Sequence, residues 1–492
     1  MENTHRMKTS TVGQLGRSEI MRDLILALII AVGLSALASR EGRQLTFDGY
    51  HYVEFAKQFA VEWPDKFGNH WPFGWPLAGG MLGRIGVPAF PALVGLSIAS
   101  TAVLLAVVCL SLADTSARWC GLMIVASAPV LQPQLAGCLT ELPFAAILSV
   151  LALQLAQWPS RPAIWGAAAC SVVALSLRYA GVITLAMLVM TMIVRWRDLR
   201  EAGRARTAVL ATLAASLASA FFLAINVMKT GFASGAGRGN PPGLSAFPLE
   251  LASFGWSAPS ALIAGGVRDA VGPESTLGMI IGSACFAAIL GLCSLGWLRP
   301  VSRFSRPCVT VALGYSTGMA FLHCIGEFDA LHVARTFLPA LAPITILAAE
   351  RLGRRRLTIT ALATLITVTG LIAAYRGISR EISGDVRSVA SALASRLRPN
   401  DLIVINDEAR SISAYFPNRT HRMGGAANWP PPAPHAFVVA TGKPRTRDGQ
   451  GSILGEDWER LASKLVEAGT HEIVSVTPGA ILLEGRSKRS AP

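Results

Sequence analysis

Apolar stretches follow one another along most of the chain, and short polar loops separate them. About eleven stretches approach the roughly 20 apolar residues that a membrane-crossing helix needs. They cover residues 22–39, 89–113, 117–135, 139–157, 162–178, 181–195, 207–228, 275–297, 307–325, 331–350 and 357–375. The pattern predicts a mainly α, polytopic helical membrane protein.

The loops alternate between arginine-rich and carboxylate-bearing. The arginine-rich loops hold Arg195, Arg197, Arg200, Arg204 and Arg206, then Arg299, Arg303 and Arg306, then Arg351, Arg354, Arg355 and Arg356. By the positive-inside rule these loops face the cytoplasm, as does the N-terminus, and the C-terminus lies outside. The other loops carry Asp48, Glu54, Glu141, Glu327 and Asp329. Carboxylates at one membrane face favour an active site that opens away from the cytoplasm.

Composition supports the membrane class. Of the 492 residues, 52% are hydrophobic and 15% charged, against about 25% charged in ordinary soluble domains. The formal charge of +14 does not indicate nucleic-acid binding, because the positive-inside rule already accounts for most arginines. All eight cysteines lie in or beside apolar segments, so no disulfide framework is predicted.

Two domains are predicted, 1–378 in the membrane and 379–492 outside it. The membrane domain carries two external loops, 40–88 and 230–274. The first begins with an amphipathic helix that has Tyr52, Phe55 and Phe59 on one face, and we expect it to lie along the membrane surface. The second is rich in glycine and proline and has no sustained period, which is typical of a long loop.

The C-terminal region reads as a small extracytoplasmic α/β domain. Residues 401–406 and 435–440 look like buried strands, 458–468 like an amphipathic helix, and 472–483 like two strands that turn at Pro478 and Gly479. Its sequence offers no catalytic arrangement that can be assigned. We expect this domain to recognise an acceptor or to cover the active site.

Asp48 is the main candidate for chemistry. It lies at the start of the amphipathic helix, where the helix dipole favours an ionised carboxylate. An aspartate before a helical pattern is also a common N-cap, so capping is the alternative. Glu141 has the same ambiguity, because it could be a first-turn dipole partner with Thr140 as the N-cap.

Several short motifs occur in one order and on one predicted membrane side. They are Phe47-Asp48-Gly49-Tyr50-His51-Tyr52 with Pro72-Phe73-Gly74-Trp75-Pro76, Thr140-Glu141-Leu142-Pro143-Phe144, Leu177-Arg178-Tyr179-Ala180-Gly181, Asn226 with Gly231, Gly237-Arg238, and Asp329 with Arg335 and Pro339. Together they resemble the GT-C glycosyltransferases, polytopic enzymes that use lipid-phosphate-linked sugars. The resemblance spans about residues 20–350. It is greatest to the bacterial branch of aminoarabinose and protein mannosyl transferases.

The resemblance implies transfer of a sugar from a polyprenyl-phosphate donor to a lipid, glycan or protein acceptor outside a bacterial inner membrane. Asp48 would be the general base, since a carboxylate can take the proton of an attacking hydroxyl. Arginines would hold the leaving phosphate, and Arg178, Arg238 and Arg335 are the candidates. Inversion at the anomeric carbon is expected from a single displacement. Substrate contacts are expected from Tyr50, Tyr52, Glu54, Glu141, Tyr179 and Asp329.

The chain departs from the family pattern at a position that bears on metal binding. Many members of this family have two adjacent acidic residues in the first loop, whereas Gly49 follows Asp48 here and the next carboxylate is Glu54. A metal site made of paired first-loop carboxylates is therefore not supported. No cofactor is assigned, and a divalent metal ion is left open.

Three alternatives stay open. A transporter or flippase of lipid-linked saccharides would also carry external charges, although it should show broken helices or charges at mid-bilayer. A non-catalytic subunit with the same fold would explain the missing second acidic residue. Arg178 and Arg335 could also serve only to reach headgroups or to pair with Glu141 and Asp329.

Overall fold

The structure of the protein is a computed structural model. It describes residues 17–40, 47–61, 72–234, 241–262, 275–326, 331, 333–352, 360–361, 363–365, 367–368, 384–398, 401–406, 412, 416, 421–423, 436–441, 456–469, 471–477 and 480–485.

Helices dominate the chain up to residue 352, which confirms the predicted mainly α class. They are α1 (Arg17–Arg40), α2 (Phe47–Val61), α3 (Gly74–Arg84), α4 (Ala89–Ser111), α5 (Thr115–Ser127), α6 (Leu131–Gly137), α7 (Glu141–Ala156), α8 (Arg161–Leu177), α9 (Val182–Val194), α10 (Trp196–Glu201), α11 (Ala205–Thr230), α12 (Phe247–Leu262), α13 (Thr276–Leu298), α14 (Ser305–Ile325) and α15 (Ala334–Leu352). Short 3-10 turns at Tyr179–Gly181 and Leu244–Ala246 precede α9 and α12.

Within the described residues, four helices are long and apolar enough to cross a membrane: α4, α11, α13 and α14. Shorter apolar helices cover α7, α8 and 179–194. The predicted crossing at 117–135 is wrong as a single helix, because it divides into α5 and α6. Pro129 lies at the break, where its ring cannot continue the helix and no N–H is available. The predicted crossing at 357–375 lies largely outside the described residues.

Contacts between helix termini define two ends of the bundle. At one end, Ser305 of α14 donates to Glu350 of α15 over 2.7 Å, and Arg351 donates to the carbonyl of Leu295 in α13. The described turns at 195–206 and 299–306 lie at this end. Because successive crossings run in opposite directions, the start of α7, the end of α8 and the start of α15 meet at the other end.

Helix α12 was not predicted, since residues 230–274 were interpreted as a loop. It packs tightly on α13, where Gly255 and Gly282 let the two backbones touch. A Cβ atom at Gly255 would lie 2.1 Å from the Gly282 carbonyl oxygen, and one at Gly282 would lie 2.4 Å from the Ala252 carbonyl oxygen. Pro259 inside α12 and the glycines before it obscured the helical pattern in the sequence.

Helices α2 and α3 form a second close pair. The amphipathic helix predicted at the start of the first loop is α2, and its face with Tyr52 and Phe59 is buried. Helix α3 was not predicted. Its Gly80 lies against α2 so closely that a Cβ atom there would be 2.4 Å from the Phe59 Cβ. This packing fixes α2, and with it Asp48, against the bundle.

The C-terminal residues form a five-stranded mixed sheet. Its strands are β1 (Leu402–Ile405), β2 (His421–Met423), β3 (Ala436–Thr441), β4 (His471–Thr477) and β5 (Ala480–Gly485), in the order β2-β1-β3-β5-β4. Strand β1 pairs in parallel with β2 and β3, and the other pairs are antiparallel. Helices α16 (Gly384–Ala394) and α17 (Glu456–Glu467) accompany it, and of these elements β2 and α16 were not predicted.

The two faces of this sheet belong to different hydrophobic clusters. Residues such as Val438 and Leu483 pack with Ala462 of α17. The opposite face, with Ile403 and Phe437, belongs to one cluster with residues of α2, α3, α4 and α16. The sheet and the helix that carries Asp48 therefore share a core.

We expect Gly282→Ala to lower the melting temperature of the purified protein, because its Cβ atom would overlap the Ala252 carbonyl and separate α12 from α13. Gly291→Ala is the matched control on the same helix, since a Cβ atom there meets nothing within 4 Å. The control should match or slightly exceed wild type, as alanine has a higher helix propensity. Equal melting temperatures for both variants would contradict the close packing.

Acidic pH should loosen the C-terminal sheet through His471 in β4. Burial lowers the pKa of this histidine below its usual value of 6.5, because desolvation disfavours the cation. The unfolded state therefore binds a proton more readily than the folded state. The contribution of neutral His471 to folding stability is fully present above pH 6.5 and decreases as the pH falls below that value.

Hydrogen–deuterium exchange of residues 471–485, corrected for intrinsic rates, measures this effect. We expect faster exchange at pH 5.5 than at pH 7.5 in wild type, and a smaller difference in His471→Gln. An unchanged difference in the variant would assign the pH dependence to other groups.

Candidate active site

The start of α7 places Glu141 at the end of the bundle opposite the arginine-rich turns. The preceding Cys138 has left-handed backbone torsions, with φ 54°, which redirect the chain from α6 into α7. The indole Nε1 of Trp75 donates to the Cys138 carbonyl over 2.9 Å. This hydrogen bond ties the turn to α3, so the position of Glu141 depends on the packing of the first loop.

Arg178 is positioned by the end of α8. Its backbone is extended, with φ −149° and ψ 140°, and the 3-10 turn that follows begins α9. Gly181 closes this turn against α8, where a Cβ atom would lie 2.2 Å from the Ala174 carbonyl carbon. Only glycine fits this contact, and the compact turn aims Arg178 toward α7.

Arg178 forms the shortest ion pair of the site. Its Nη1 lies 2.6 Å from Glu141 Oε1, and the Glu141 side chain is buried. The same nitrogen donates to Thr140 Oγ1 over 3.4 Å. Thr140 makes no side-chain capping hydrogen bond to α7. The pairing of Arg178 with Glu141, which the sequence left open as an alternative, is present in the structure. The N-cap interpretation of Thr140 is wrong.

Arg335 joins a second carboxylate to this pair. It lies in the first turn of α15, and its Nη1 is 3.4 Å from Asp48 Oδ2 and 3.6 Å from Glu141 Oε1. Asp48 lies in the first turn of α2. Residues 48, 141, 178 and 335 thus form one network from four helices. We call these four residues the charged cluster.

Tyr52 lies beside the charged cluster. Its side chain is buried, hydrogen-bonds with Thr140, and interacts electrostatically with Arg178, Asp48 and Glu141. Burial raises the pKa of this phenol well above its usual value, so it stays protonated. It can therefore serve as a neutral hydrogen-bonding group.

The charges of the cluster sum to zero, because two carboxylates face two guanidinium groups. Glu141 is the most deeply buried of the four. Its Oε2 atom has no hydrogen-bond partner among the residues that the structure describes. The buried carboxylate of Glu141 can hold the guanidinium groups of Arg178 and Arg335 in a fixed orientation. The more exposed carboxylate of Asp48 can exchange a proton with a bound molecule.

The other predicted site residues take no part in the ion pairs of the charged cluster that are described above, or they lie outside the described residues. Glu54 pairs with Lys57 at 2.7 Å, and burial raises the pKa of its carboxyl group. Tyr50 is buried next to Glu54, and Tyr179 stacks on Phe222. Two predicted residues, Arg238 and Asp329, are among those that the structure does not describe.

Metal binding was left open by the sequence. In the described part of the chain, no group of three or more His, Cys, Asp or Glu side chains is placed to hold a metal ion. The nearest donor set is Asp48 and Glu141, and both are paired with arginine.

Some polar contacts in the bundle were not predicted. Trp75 and Cys138 position the α7 turn, and the only sequence signal was an aromatic residue in the first loop. A buried pair joins Arg118 to Asp23 over 2.7 Å, and His323 lies 3.7 Å from Glu250. Charged residues inside apolar segments were the available signal for these pairs.

Comparisons with known proteins give a relationship by structure. The chain superposes on ArnT from Cupriavidus metallidurans bound to undecaprenyl phosphate with a TM-score of 0.54, over 95% of this chain and 99% of ArnT, at 11% identity. The apo state of that ArnT gives the same TM-score at 13% identity, over 95% and 98% of the two chains. The chain has the GT-C fold. This confirms the resemblance at the level of architecture.

Archaeal AglB from Archaeoglobus fulgidus matches less well, with a TM-score of 0.42 and 12% identity over 86% of this chain and 69% of AglB. No protein-family model matches the chain. No curated protein matches it by sequence. The GT-C fold here thus rests on structure, with the charged cluster at one end of its helices.

We expect Glu141→Gln to destabilise the protein by roughly 1–3 kcal/mol, because two partly buried arginines lose their shared counter-charge. Thermal unfolding in a fixed detergent would measure the change. Glu201→Gln is the control, since Glu201 forms an exposed pair with Arg197 at the other end of the bundle. A control loss equal to that of Glu141→Gln would contradict a special role for the buried carboxylate.

Proposed function

We propose that this protein is a membrane glycosyltransferase. It transfers a sugar from a polyprenyl-phosphate carrier to an acceptor hydroxyl at the extracytoplasmic side of a bacterial inner membrane. The observation that carries the proposal is the charged cluster, in which Asp48 and Glu141 meet Arg178 and Arg335. The fold supports it, and the related ArnT structure contains undecaprenyl phosphate.

The reaction uses Asp48 as the general base. The acceptor oxygen attacks the anomeric carbon of the donor sugar and loses its proton to the Asp48 carboxylate. The bond from the anomeric carbon to the phosphate oxygen breaks, and its electron pair leaves with the carrier. One displacement inverts the configuration of the anomeric carbon.

The leaving group gains one negative charge, as a phosphodiester becomes a phosphate monoester. Arg178 and Arg335 are placed to stabilise that charge, because guanidinium groups match phosphate oxygens in a bidentate geometry. Arg238 is a third candidate from the sequence. Glu141 holds the two arginines, and Tyr52 offers a neutral donor to the sugar or phosphate.

Other predicted contacts complete the proposal. Tyr50, Glu54, Tyr179 and Asp329 remain candidates for substrate binding. The orientation follows from the arginine-rich turns, which the positive-inside rule assigns to the cytoplasm. The charged cluster lies at the opposite end, where a flipped lipid-linked sugar is available.

Turnover of polyprenyl-phosphate sugars by the purified full chain in nanodiscs tests the proposal. Wild type should consume one donor of a panel, read by mass spectrometry, and Asp48→Asn should reduce the rate by about 100-fold or more because the base is lost. Asp114→Asn is the control, since Asp114 caps α5 at the other end and asparagine caps equally well.

Donor loss that persists in Asp48→Asn would contradict the role of Asp48. If no donor is consumed but lipid-linked saccharide crosses the bilayer of a proteoliposome, a flippase becomes the better interpretation. If donor binds without turnover or transport, a non-catalytic subunit of this fold is indicated.

A further inference from the structure

Arg335 is shared between two carboxylates, and neither contact is short. Its Nη1 lies 3.4 Å from Asp48 and 3.6 Å from Glu141, whereas Arg178 lies 2.6 Å from Glu141. Charge-assisted N–H to oxygen bonds are normally about 2.7–2.9 Å long. Glu141 is therefore held more tightly by Arg178 than by Arg335, and the Asp48–Arg335 contact is longer than the Arg178–Glu141 contact.

The two ion pairs also differ in burial, and the longer one is the more exposed. The Glu141 side chain is 4% exposed, while those of Asp48 and Arg335 are 34% and 28% exposed. Water screens an exposed pair, so separating Asp48 from Arg335 costs less than separating Arg178 from Glu141. The Asp48–Arg335 contact is the part of the charged cluster that can open.

A bound phosphate would compete for the same guanidinium. Phosphate oxygens bind arginine in a bidentate manner, which is stronger than one contact at 3.4 Å. Glu141 would remain beside Arg335 after such an exchange, at the distance already present in the structure. The arginine thus needs only to change one partner and not to leave the cluster.

We propose that Arg335 is an exchangeable partner that couples donor binding to release of the base. The donor phosphate takes Arg335 from Asp48, and Asp48 then becomes available to the acceptor hydroxyl. This inference rests on the proposed glycosyl transfer and adds an order to it, with donor before acceptor. Arg335 is a positioning residue for Asp48 as well as a phosphate ligand.

The exchange has a chemical advantage. Arg335 occupies the Asp48 carboxylate oxygen Oδ2, which an acceptor hydroxyl would otherwise approach. Without donor, the cluster is neutral and Asp48 is occupied. With donor, the phosphodiester charge is balanced by Arg335, and the acceptor proton moves to Asp48 as the carrier departs as a monoester.

Infrared difference spectroscopy can test the exchange without turnover. The purified full chain in nanodiscs is perfused with undecaprenyl phosphate, and the carboxylate region is compared before and after binding. Subtracting the same experiment on Asp48→Asn isolates the Asp48 signal. We expect loss of an ion-paired carboxylate band and gain of a band from a released or protonated carboxyl group.

Arg335 variants supply a readout that a structural role alone would not produce. Arg335→Gln should lose the carrier-induced Asp48 signal, because the Asp48–Arg335 ion pair that the carrier would open is absent from the start. Arg335→Lys keeps a cation and should restore part of the signal. Arg195→Gln, at the arginine-rich end, is the control and should behave as wild type.

The outcomes separate the two proposals. Carrier binding in wild type without a change in the Asp48 band would overturn the exchange and leave glycosyl transfer untouched. An Asp48 signal that is identical in Arg335→Gln would also overturn it. No binding of carrier, measured by native mass spectrometry, would overturn both the exchange and the proposed function.

Discussion

The burial of Glu141 is the constraint on which this site depends. A carboxylate at the end of an apolar bundle needs a counter-charge, because an isolated buried charge is costly. Arg178 provides it from the next helix, and Arg335 adds to it from α15. Asp48 then balances the second arginine from the first turn of α2. One buried charge thus fixes how four helices meet.

Close helix packing makes that meeting possible. Small residues hold α2 on α3 and α12 on α13, and each contact leaves no room for a side chain. Such contacts are common in membranes, where polar burial and backbone proximity replace the hydrophobic effect as the source of specificity. The site is therefore built from rigid elements, although three of its four charged side chains remain partly exposed.

The sequence identified the four residues of the charged cluster, but it did not show which of them contact one another. Asp48, Glu141, Arg178 and Arg335 could each be selected because an external charge next to an apolar helix is unusual. The contact of Arg335 with Asp48 joins residues 287 positions apart, and no local pattern encodes it. Asp329, the nearby carboxylate that was considered as an alternative partner, lies outside the described residues.

Some helices could likewise be predicted from the sequence and others could not. Long apolar stretches such as α4 and α13 were predictable from hydropathy, since each matches the thickness of a bilayer. Helix α12 was not, because its stability comes from packing between other helices and its proline weakens the periodic signal. The roles of Asp48 and the arginines remain predictions, and so does the binding of a metal.

The shared core of the C-terminal sheet has a further meaning. Ile403 and Phe437 belong to the same apolar cluster as Tyr50 and Trp75. Removal of the C-terminal sheet would therefore expose apolar side chains of α2 and α3 to solvent instead of leaving a polar surface. The C-terminal sheet is better regarded as a structural cover of α2 and α3 than as a separable unit.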